Sequence, residues 1–351
     1  MLPYSHRIFM YGPIALLVVL AAGYSLYWRA SAQELAAELD AANGHEIMPG
    51  IEFAFAEKSV GGYPFRLDAV LSGVTIAHKG AEGETAWRAE DIALHTLSYG
   101  SGHYLIEAAG LQSFAWPGDD GRPRVLYVTP GSARASAVLR GGKLVRFDLD
   151  VIKPAIQDAA PDAVPGRNAT VGRAQFHLRA RSDDTLDVAV KFEGTRIGPG
   201  FSPALGRDLL LLNARGVLTR GQDLRALLAG EESLAASCEA WRMAGGSFDV
   251  TALSMKWGGV TLDATGTFAF DAQHRPMGAV DGFANGAKAV AAAAEHSRQA
   301  PAAELGPAHA TVSAIGEKAA DAQGRIAVKL RLENGTLMAG TRQVASFEPL
   351  Y

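Results

Sequence analysis

The sequence predicts a β-dominated α+β fold, in which an N-terminal transmembrane helix is followed by curved antiparallel sheet that a few helices cover. One observation is the uncharged run Ile8–Trp28, whose roughly 21 residues match the hydrocarbon core of a bilayer. Another is the alternation of apolar and polar residues beyond Arg29, which is typical of strands with one buried and one wet face. The third is the presence of turn-forming pairs between those strands, such as Gly141-Gly142 and Asn334-Gly335.

The charges that flank the apolar run predict its orientation. His6 and Arg7 precede the run and Arg29 follows it, after which acidic residues appear. This pattern favours a cytoplasmic N-terminal stub and translocation of the remaining chain. Tyr24 and Trp28 mark one end of the run, where aromatic rings prefer the headgroup region, so we interpret the run as a retained, single-pass anchor.

A cleaved signal peptide is the alternative interpretation of the same segment. Ala30-Ser31-Ala32 fits a small-x-small cleavage pattern, with the cut after Ala32. The apolar run is longer than the usual signal core of about 7–15 residues, and bulky Trp28 and charged Arg29 lie close to the cut, which favours the anchor. Both interpretations export the main domain.

Composition describes a folded exported domain and argues against nucleic acid as a partner. The 351 residues are 48% hydrophobic and carry a formal charge of −4, so the chain has enough apolar residues for a large core and lacks a global basic excess. The single cysteine, Cys238, excludes an internal disulfide framework. We expect it to be a small buried helix residue without a thiolate-activating neighbour.

The alternating pattern divides the exported part into two β-rich halves. The sequence predicts a stub and anchor over residues 1–29, a stalk helix over 30–44, a first half over 45–195 and a second half with helical covers over 196–351. Alternation is clearest in five segments, Tyr63–Leu71, Val145–Val151, Ala174–Ala180, Leu186–Phe192 and Ile326–Leu332.

Helical spacing of apolar residues appears in fewer places. The stalk is predicted over Ser31–Ala42 as a continuation of the anchor helix. Further helices are predicted over Ser202–Asn213, Gln222–Met243, Gly282–Arg298 and Pro307–Ala320.

A glycine and proline segment marks the start of an early strand. Gly62 permits a tight bend, and Pro64 is tolerated at the first residue of a strand or on an edge, so the strand is predicted to start there. Phe65 is then expected to point inward and Arg66 outward. Arg66 could bind a lipid phosphate or an acidic side chain, and the simpler interpretation is a surface ion pair.

Gly62, Tyr63, Pro64, Phe65 and Arg66 together resemble a signature of the bacterial, membrane-anchored family catalogued as domain of unknown function 2125. The aromatic helix end Tyr24–Trp28 and the pair Trp257-Gly258, followed by a strand, Gly266 and another strand, resemble the same family over nearly the whole chain. The resemblance implies a bacterial inner-membrane protein with a periplasmic β-rich domain. The family has no established activity, so the resemblance implies none for this chain. The order of Trp257-Gly258, strand, glycine and strand is also similar to the order in AsmA-like envelope proteins. Those proteins have a periplasmic groove and are associated with moving or organising phospholipid. That likeness implies a lipid role by analogy alone.

Motifs of catalysis are absent from the sequence. We find no nucleophile elbow, zinc-protease helix, phosphate loop or dinucleotide-binding glycine pattern, and so predict no catalytic residues, metal or cofactor. Asp148 and Asp150 alternate with Phe147 and Leu149, which assigns the two carboxylates to the wet face of a strand.

Two functional hypotheses remain, with a hydrolase as a distant third. In the first, the apolar face of the sheet lines a groove, and the protein contacts or handles phospholipid in the cell envelope. In the second, helices fill that face and the outer surface binds another envelope protein as a scaffold. A hydrolase would need distant residues that folding brings together.

Overall fold

The helices of the computed structural model lie at the start of the chain and in its second half. The structure describes residues 4–80, 83–100, 102–118, 120–181, 184–299 and 306–350. The helices are α1 (Tyr4–Ala42), α2 (Arg225–Leu228), α3 (Leu234–Met243), α4 (Ala287–Gln299) and α5 (Pro307–Gly316), with a 3-10 turn at Gly221–Leu224.

Strands dominate the molecule, at 52% strand against 22% helix, which confirms the predicted fold class. They are β1 (His45–Met48), β2 (Ile51–Ala54), β3 (Glu57–Gly61), β4 (Arg66–Gly80), β5 (Gly83–Leu97), β6 (His103–Pro117), β7 (Pro123–Thr129), β8 (Ser132–Arg140), β9 (Lys143–Ile152), β10 (Ala155–Asp158), β11 (Asn168–Thr170), β12 (Arg173–Ala180), β13 (Leu186–Ile197), β14 (Asp208–Leu218), β15 (Phe248–Trp257), β16 (Val260–Phe270), β17 (Pro276–Asn285), β18 (Ile326–Glu333), β19 (Thr336–Ala339) and β20 (Arg342–Ser346).

The strands form one antiparallel sheet that follows the chain. From β4 to β6 each strand pairs with the next, and from β12 to β20 the same order returns. The long β6 pairs with β8 along its first part and with β7 along its last part. The branch β8–β9–β12 and the branch β7–β10–β11 rejoin on β13. The predicted boundary between residues 195 and 196 lies within β13, so sheet pairing continues across it.

Helix α1 is a single helix that continues from the apolar run into the stalk. It holds the segment long and apolar enough to cross a membrane, and its last turns pack on the sheet. Leu39 contacts the cluster that contains Val74, and Lys58 of β3 donates to the carbonyl of Ala36 and pairs with Asp40. Asn43 Oδ1, just past the helix, accepts a hydrogen bond from the backbone of Phe55 at 2.8 Å. Residues 31–42 are therefore helical, and they cover the first strands.

Two helical covers pack against the later strands. Trp241 of α3 is buried with Leu186 and Leu224 near one end of β13. Val290 of α4 is buried with Val260 and Ile326, which are the first residues of β16 and β18. This edge of the sheet is opposite the edge that Trp241 covers. Helices α4 and α5 pack together so closely that a Cβ at Gly316 would lie 2.5 Å from the Cβ of Ala294.

Three helix predictions are wrong in part or in whole. The segment Ser202–Asn213 is irregular up to residue 207 and then enters β14, because its leucine run pairs with strands on both sides. A short apolar run cannot distinguish a buried strand from a helix by itself. Gln222–Met243 is broken near Gly230, whose φ is +73°, and Gly282 belongs to β17, so the following helix begins at Ala287.

Candidate functional site

The register of the sheet places apolar side chains in continuous rows on one face. Residues directly opposite each other on neighbouring strands share a face, so a row can be followed from strand to strand. The central row crosses thirteen strands, from β3 to β18, and holds only apolar residues and glycine. Its members are Val60, Ala69, Leu94, Ile106, Ala135, Leu149, Phe176, Val190, Ala214, Leu253, Ala264, Gly282 and Val328.

A parallel row on the same face is also apolar from β4 to β18. Its members are Leu71, Ile92, Ala108, Ala133, Val151, Ala174, Phe192, Leu212, Met255, Leu262, Ala284 and Ile326. Neighbouring strands lie about 4.8 Å apart, so the central row extends roughly 58 Å across the sheet. We call the face that carries these rows the apolar face.

The apolar face is buried at its ends and only partly buried in its middle. Ala69 at one end and Val328 at the other are buried, and Val328 packs with Val290 of α4. Ala133 and Ala135 of β8 are also buried, and the partly exposed part runs from β9 to β15. Phe147, Phe176 and Val190 keep part of their surface exposed, although a strand lies on each side of them. Because flanking strands already shield these side chains within the sheet, the remaining exposure lies above the face. The middle of the apolar face is therefore open.

The opposite face of the sheet carries charged and polar rows. Asp150 of β9 makes a paired contact with the guanidinium of Arg173 at 2.7 and 3.0 Å. Asp148 lies 2.6 Å from Arg146 Nε and 2.7 Å from His177 Nδ1. The structure thus places both carboxylates on the wet face, as predicted, where Asp150 contacts Arg173 and Asp148 contacts Arg146 and His177.

These contacts change the titration of both carboxyls. Hydrogen bonds from Arg173 lower the pKa of Asp150, and they outweigh desolvation, which acts in the opposite direction. Desolvation raises the pKa of Asp148, but the hydrogen bonds from His177 and Arg146 more than reverse that effect, so this pKa is also low. Two carboxylates that stay ionised do not form an acid and base couple at neutral pH.

Asp150→Asn is expected to lower the free energy of unfolding at pH 7 by less than about 1 kcal/mol, because the pair is partly solvated. A depressed pKa in the folded state stabilises the protein above the unfolded pKa, and this stabilisation is lost as pH falls through the folded value. The difference between native and variant protein should therefore shrink below about pH 4. Urea unfolding at pH 7 and pH 3 measures it, and an equal difference at both values would contradict the assignment.

The segment Gly62–Arg66 docks onto the aromatic end of the anchor helix. Tyr24 donates through its hydroxyl to the carbonyl of Pro64 at 2.6 Å, and Trp28 Nε1 donates to the carbonyl of Arg66 at 2.7 Å. The Tyr63 hydroxyl lies 2.8 Å from Ser25 Oγ, and its ring meets Trp28 edge-on at 5.4 Å. Five hydrogen bonds from residues 24–28 to residues 63–66 and 98 join helix and sheet here. We call this junction the aromatic collar.

The collar corrects two predictions about this segment. Strand β4 begins at Arg66 and not at Pro64, because residues 63–65 form a turn that wraps the helix. Phe65 was expected to point inward, but it is 65% exposed and lies beside Tyr24. Arg66 points outward as expected and forms a surface ion pair with Asp68 at 3.2 Å. A turn is needed at Gly62, whose φ is +99° and whose Cβ would lie 2.8 Å from the Arg66 carbonyl oxygen.

The Trp257-Gly258 pair fixes a loop near the second helical cover. Trp257 Nε1 donates to the carbonyl of Gly206 at 2.6 Å. Gly258 has a φ of +55°, and a Cβ there would lie 2.2 Å from the carbonyl oxygen of Leu205. The pair therefore holds the loop before β14, which is a structural role that the sequence alone did not reveal.

Two further residues were missed because no motif marks them. Arg167 and His309 lie far apart in the sequence, yet both line a cleft of about 840 Å³ beside the apolar face. Cys238, by contrast, is half-buried in α3, and burial raises the pKa of its thiol, as expected for an inert residue. Among the described residues no group of three His, Cys, Asp or Glu side chains could hold a metal ion.

Comparison with known proteins identifies the family. The family model described as an uncharacterized protein conserved in bacteria (DUF2125) matches residues 28–348, which include both Gly62–Arg66 and Trp257-Gly258. The chain matches no curated protein and no solved structure. Because the match covers far more than half of the chain, as the resemblance in Gly62–Arg66 implied, this protein belongs to the DUF2125 family.

Proposed function

We propose that this protein is a non-enzymatic, single-pass inner-membrane protein whose periplasmic sheet contacts or handles phospholipid in the bacterial envelope. The observation that carries the proposal is the apolar face, which crosses thirteen strands and stays open in its middle. Soluble domains rarely expose continuous apolar surface, and where they do it marks a ligand, partner or membrane contact. Acyl chains are the apolar ligands nearest to a membrane-anchored domain.

The aromatic collar supports the proposal through its position. It attaches the start of the sheet to the end of an apolar helix, so the apolar face begins where that helix would leave the bilayer. Leu67 and Ala69 of β4 are buried on this face directly after the collar residue Arg66. The exposed rings of Tyr63 and Phe65 are amphipathic or apolar, which suits the headgroup region. A rigid junction of this kind would hold the apolar face beside the membrane, whereas a flexible linker would not.

The decisive experiment places a photoreactive benzoyl-phenylalanine at Phe176 in the full chain in intact cells. Phe176 lies in the central row of the apolar face, and a matched control position is Phe283 on the opposite face, which is 44% exposed. We expect light-dependent attachment of labelled phospholipid at position 176 and little at 283. Phospholipid should also co-purify with the unmodified chain, as measured by mass spectrometry.

The same experiment separates the alternatives. A single protein adduct at either position, with no lipid, would support the scaffold hypothesis. Absence of both lipid adduct and co-purified lipid would overturn the proposal. A reporter fused after residue 350 tests the orientation, because the proposal requires activity of the reporter in the periplasm.

A further inference from the structure

We propose that the cleft lined by Arg167 and His309 binds the phosphate group of a phospholipid whose acyl chains lie on the apolar face. This inference rests on the proposed function and assigns a place to the polar end of the ligand. The cleft is bounded by the loop before β11, the loop after β13 and helix α5. Its volume of about 840 Å³ would admit a headgroup of ordinary size.

The floor of the cleft is continuous with the apolar face. Ala169 and Ile197 line the cleft and oppose each other across β11 and β13. Ala169 also opposes Ile156, which opposes Val128 of β7. Val128 opposes Gln112 of β6, and Gln112 opposes Ala89, which packs in the cluster of Leu71 and Ile92, so this row runs back to the apolar face. A molecule with an apolar tail could therefore keep its tail on the face while its polar end enters the cleft.

His309 supplies an unpartnered buried donor or acceptor. The residue is 6% exposed, and its Nε2 atom has no hydrogen-bond partner within the described part of the chain. A buried polar atom without a partner is costly, and His309 lines the cleft, so a ligand group that reached its Nε2 atom would remove this cost. His309 also lies in the first turn of α5, where the helix dipole favours negative charge.

Arg167 supplies positive charge at the same cleft. Its guanidinium stacks over the ring of Phe201 at 5.5 Å, which holds it at the cleft. Its ionic contact with Asp158 is 3.9 Å long, too long for a hydrogen bond, so donors remain for an anion. A planar guanidinium is well suited to phosphate because two of its N–H groups can bind two oxygens.

The test measures binding of dihexanoyl phosphatidic acid, below its micelle concentration, to the full chain held in amphipol. Calorimetric titrations with inorganic phosphate and with dihexanoylglycerol measure how tightly the headgroup alone and the tails alone bind. We expect the phosphatidic acid to bind more tightly than either, and Arg167→Gln to weaken it about tenfold or more. His309→Ala should have a similar effect. The control Arg215→Gln, on the polar face of β14, should leave binding unchanged.

Each outcome has a defined meaning. If Arg167→Gln leaves the affinity for phosphatidic acid unchanged, the inference is overturned. Arg167 is 43% exposed, so this variant is expected to fold even if His309→Ala, at a buried position, does not. Inorganic phosphate that binds as tightly as the phosphatidic acid overturns the assignment to a lipid. If Phe176 still captures phospholipid in either case, only this inference fails. If position 176 captures no phospholipid and none co-purifies, the proposed function itself fails.

Discussion

Val74→Asp is expected to cost at least about 4 kcal/mol of unfolding free energy and to prevent folding of the first strands, because the charge would enter a dry core. Val74 of β4 has no exposed surface and packs with Phe55, Leu71 and Ile92 in the cluster that Leu39 of the stalk also contacts. The side chains that pack in this cluster are apolar, and Lys58, which is opposite Leu71, is already paired with Asp40. The carboxylate would therefore be buried without a partner.

Thr75→Asp is the matched control for this change. Gly73, whose φ is +63°, interrupts the alternation of β4, so Val74 packs on the same side as Leu71 and the next residue, Thr75, lies on the other face. Thr75 is opposite Arg88 of β5, so a new carboxylate there would be near a cation. We expect a change of less than about 0.5 kcal/mol. Circular dichroism during urea unfolding of the full chain in detergent compares the two variants. Equal destabilisation by both would show that the assignment of the two faces is wrong.

Trp241→Ala is expected to lower the unfolding free energy by about 3–5 kcal/mol, the usual cost of removing a large buried aromatic side chain. Trp241 of α3 is 5% exposed, meets Phe270 edge-on at 5.9 Å and donates through Nε1 to the carbonyl of Thr219 at 2.6 Å. Its ring also lies directly against Gly246, so its loss leaves a hole between α3 and the sheet.

Trp241→Phe and Trp116→Ala are the controls for this prediction. The phenylalanine keeps most of the packing but leaves the Thr219 carbonyl unpaired, so we expect about 1–2 kcal/mol. Trp116 of β6 is 37% exposed, and its replacement should cost clearly less than that of Trp241. Denaturant midpoints measure all three variants. If Trp116→Ala proved as harmful as Trp241→Ala, α3 would not be a cover that the fold needs.

The strands were predictable because their signal is local. In β9, β12 and β13 the large apolar residues recur mainly at every second position, and this period of two is typical of strands with one buried face. The sheet confirms the start of each of these segments to within two residues, and β13 continues to Ile197, beyond the predicted end at Phe192. The predicted helix over Ser202–Asn213 failed because Leu209–Leu212 is a continuous apolar run without a period, and pairing with β13 and β15 decided its structure.

Phe65 shows the same limit at the candidate site. Strand alternation predicted an inward side chain for Phe65. Residues 63–65 instead form a turn that contacts Tyr24 of α1, about 40 residues earlier in the chain. No local pattern contains that contact. Arg167 and His309 are separated by most of the second half of the chain, so only the packing of α5 beside the β11 loop brings them to one cleft.

The amino-acid sequence by itself determined that this chain has an apolar helix long enough to cross a membrane, mostly antiparallel strands and membership of its family, because periodicity and short motifs are properties of neighbouring residues. The tertiary structure alone decided that the strands join into one sheet, that their apolar residues align over thirteen strands and that the helices leave the middle open. Register, cover and cleft depend on contacts between residues distant in the chain, and single-segment patterns do not encode these contacts.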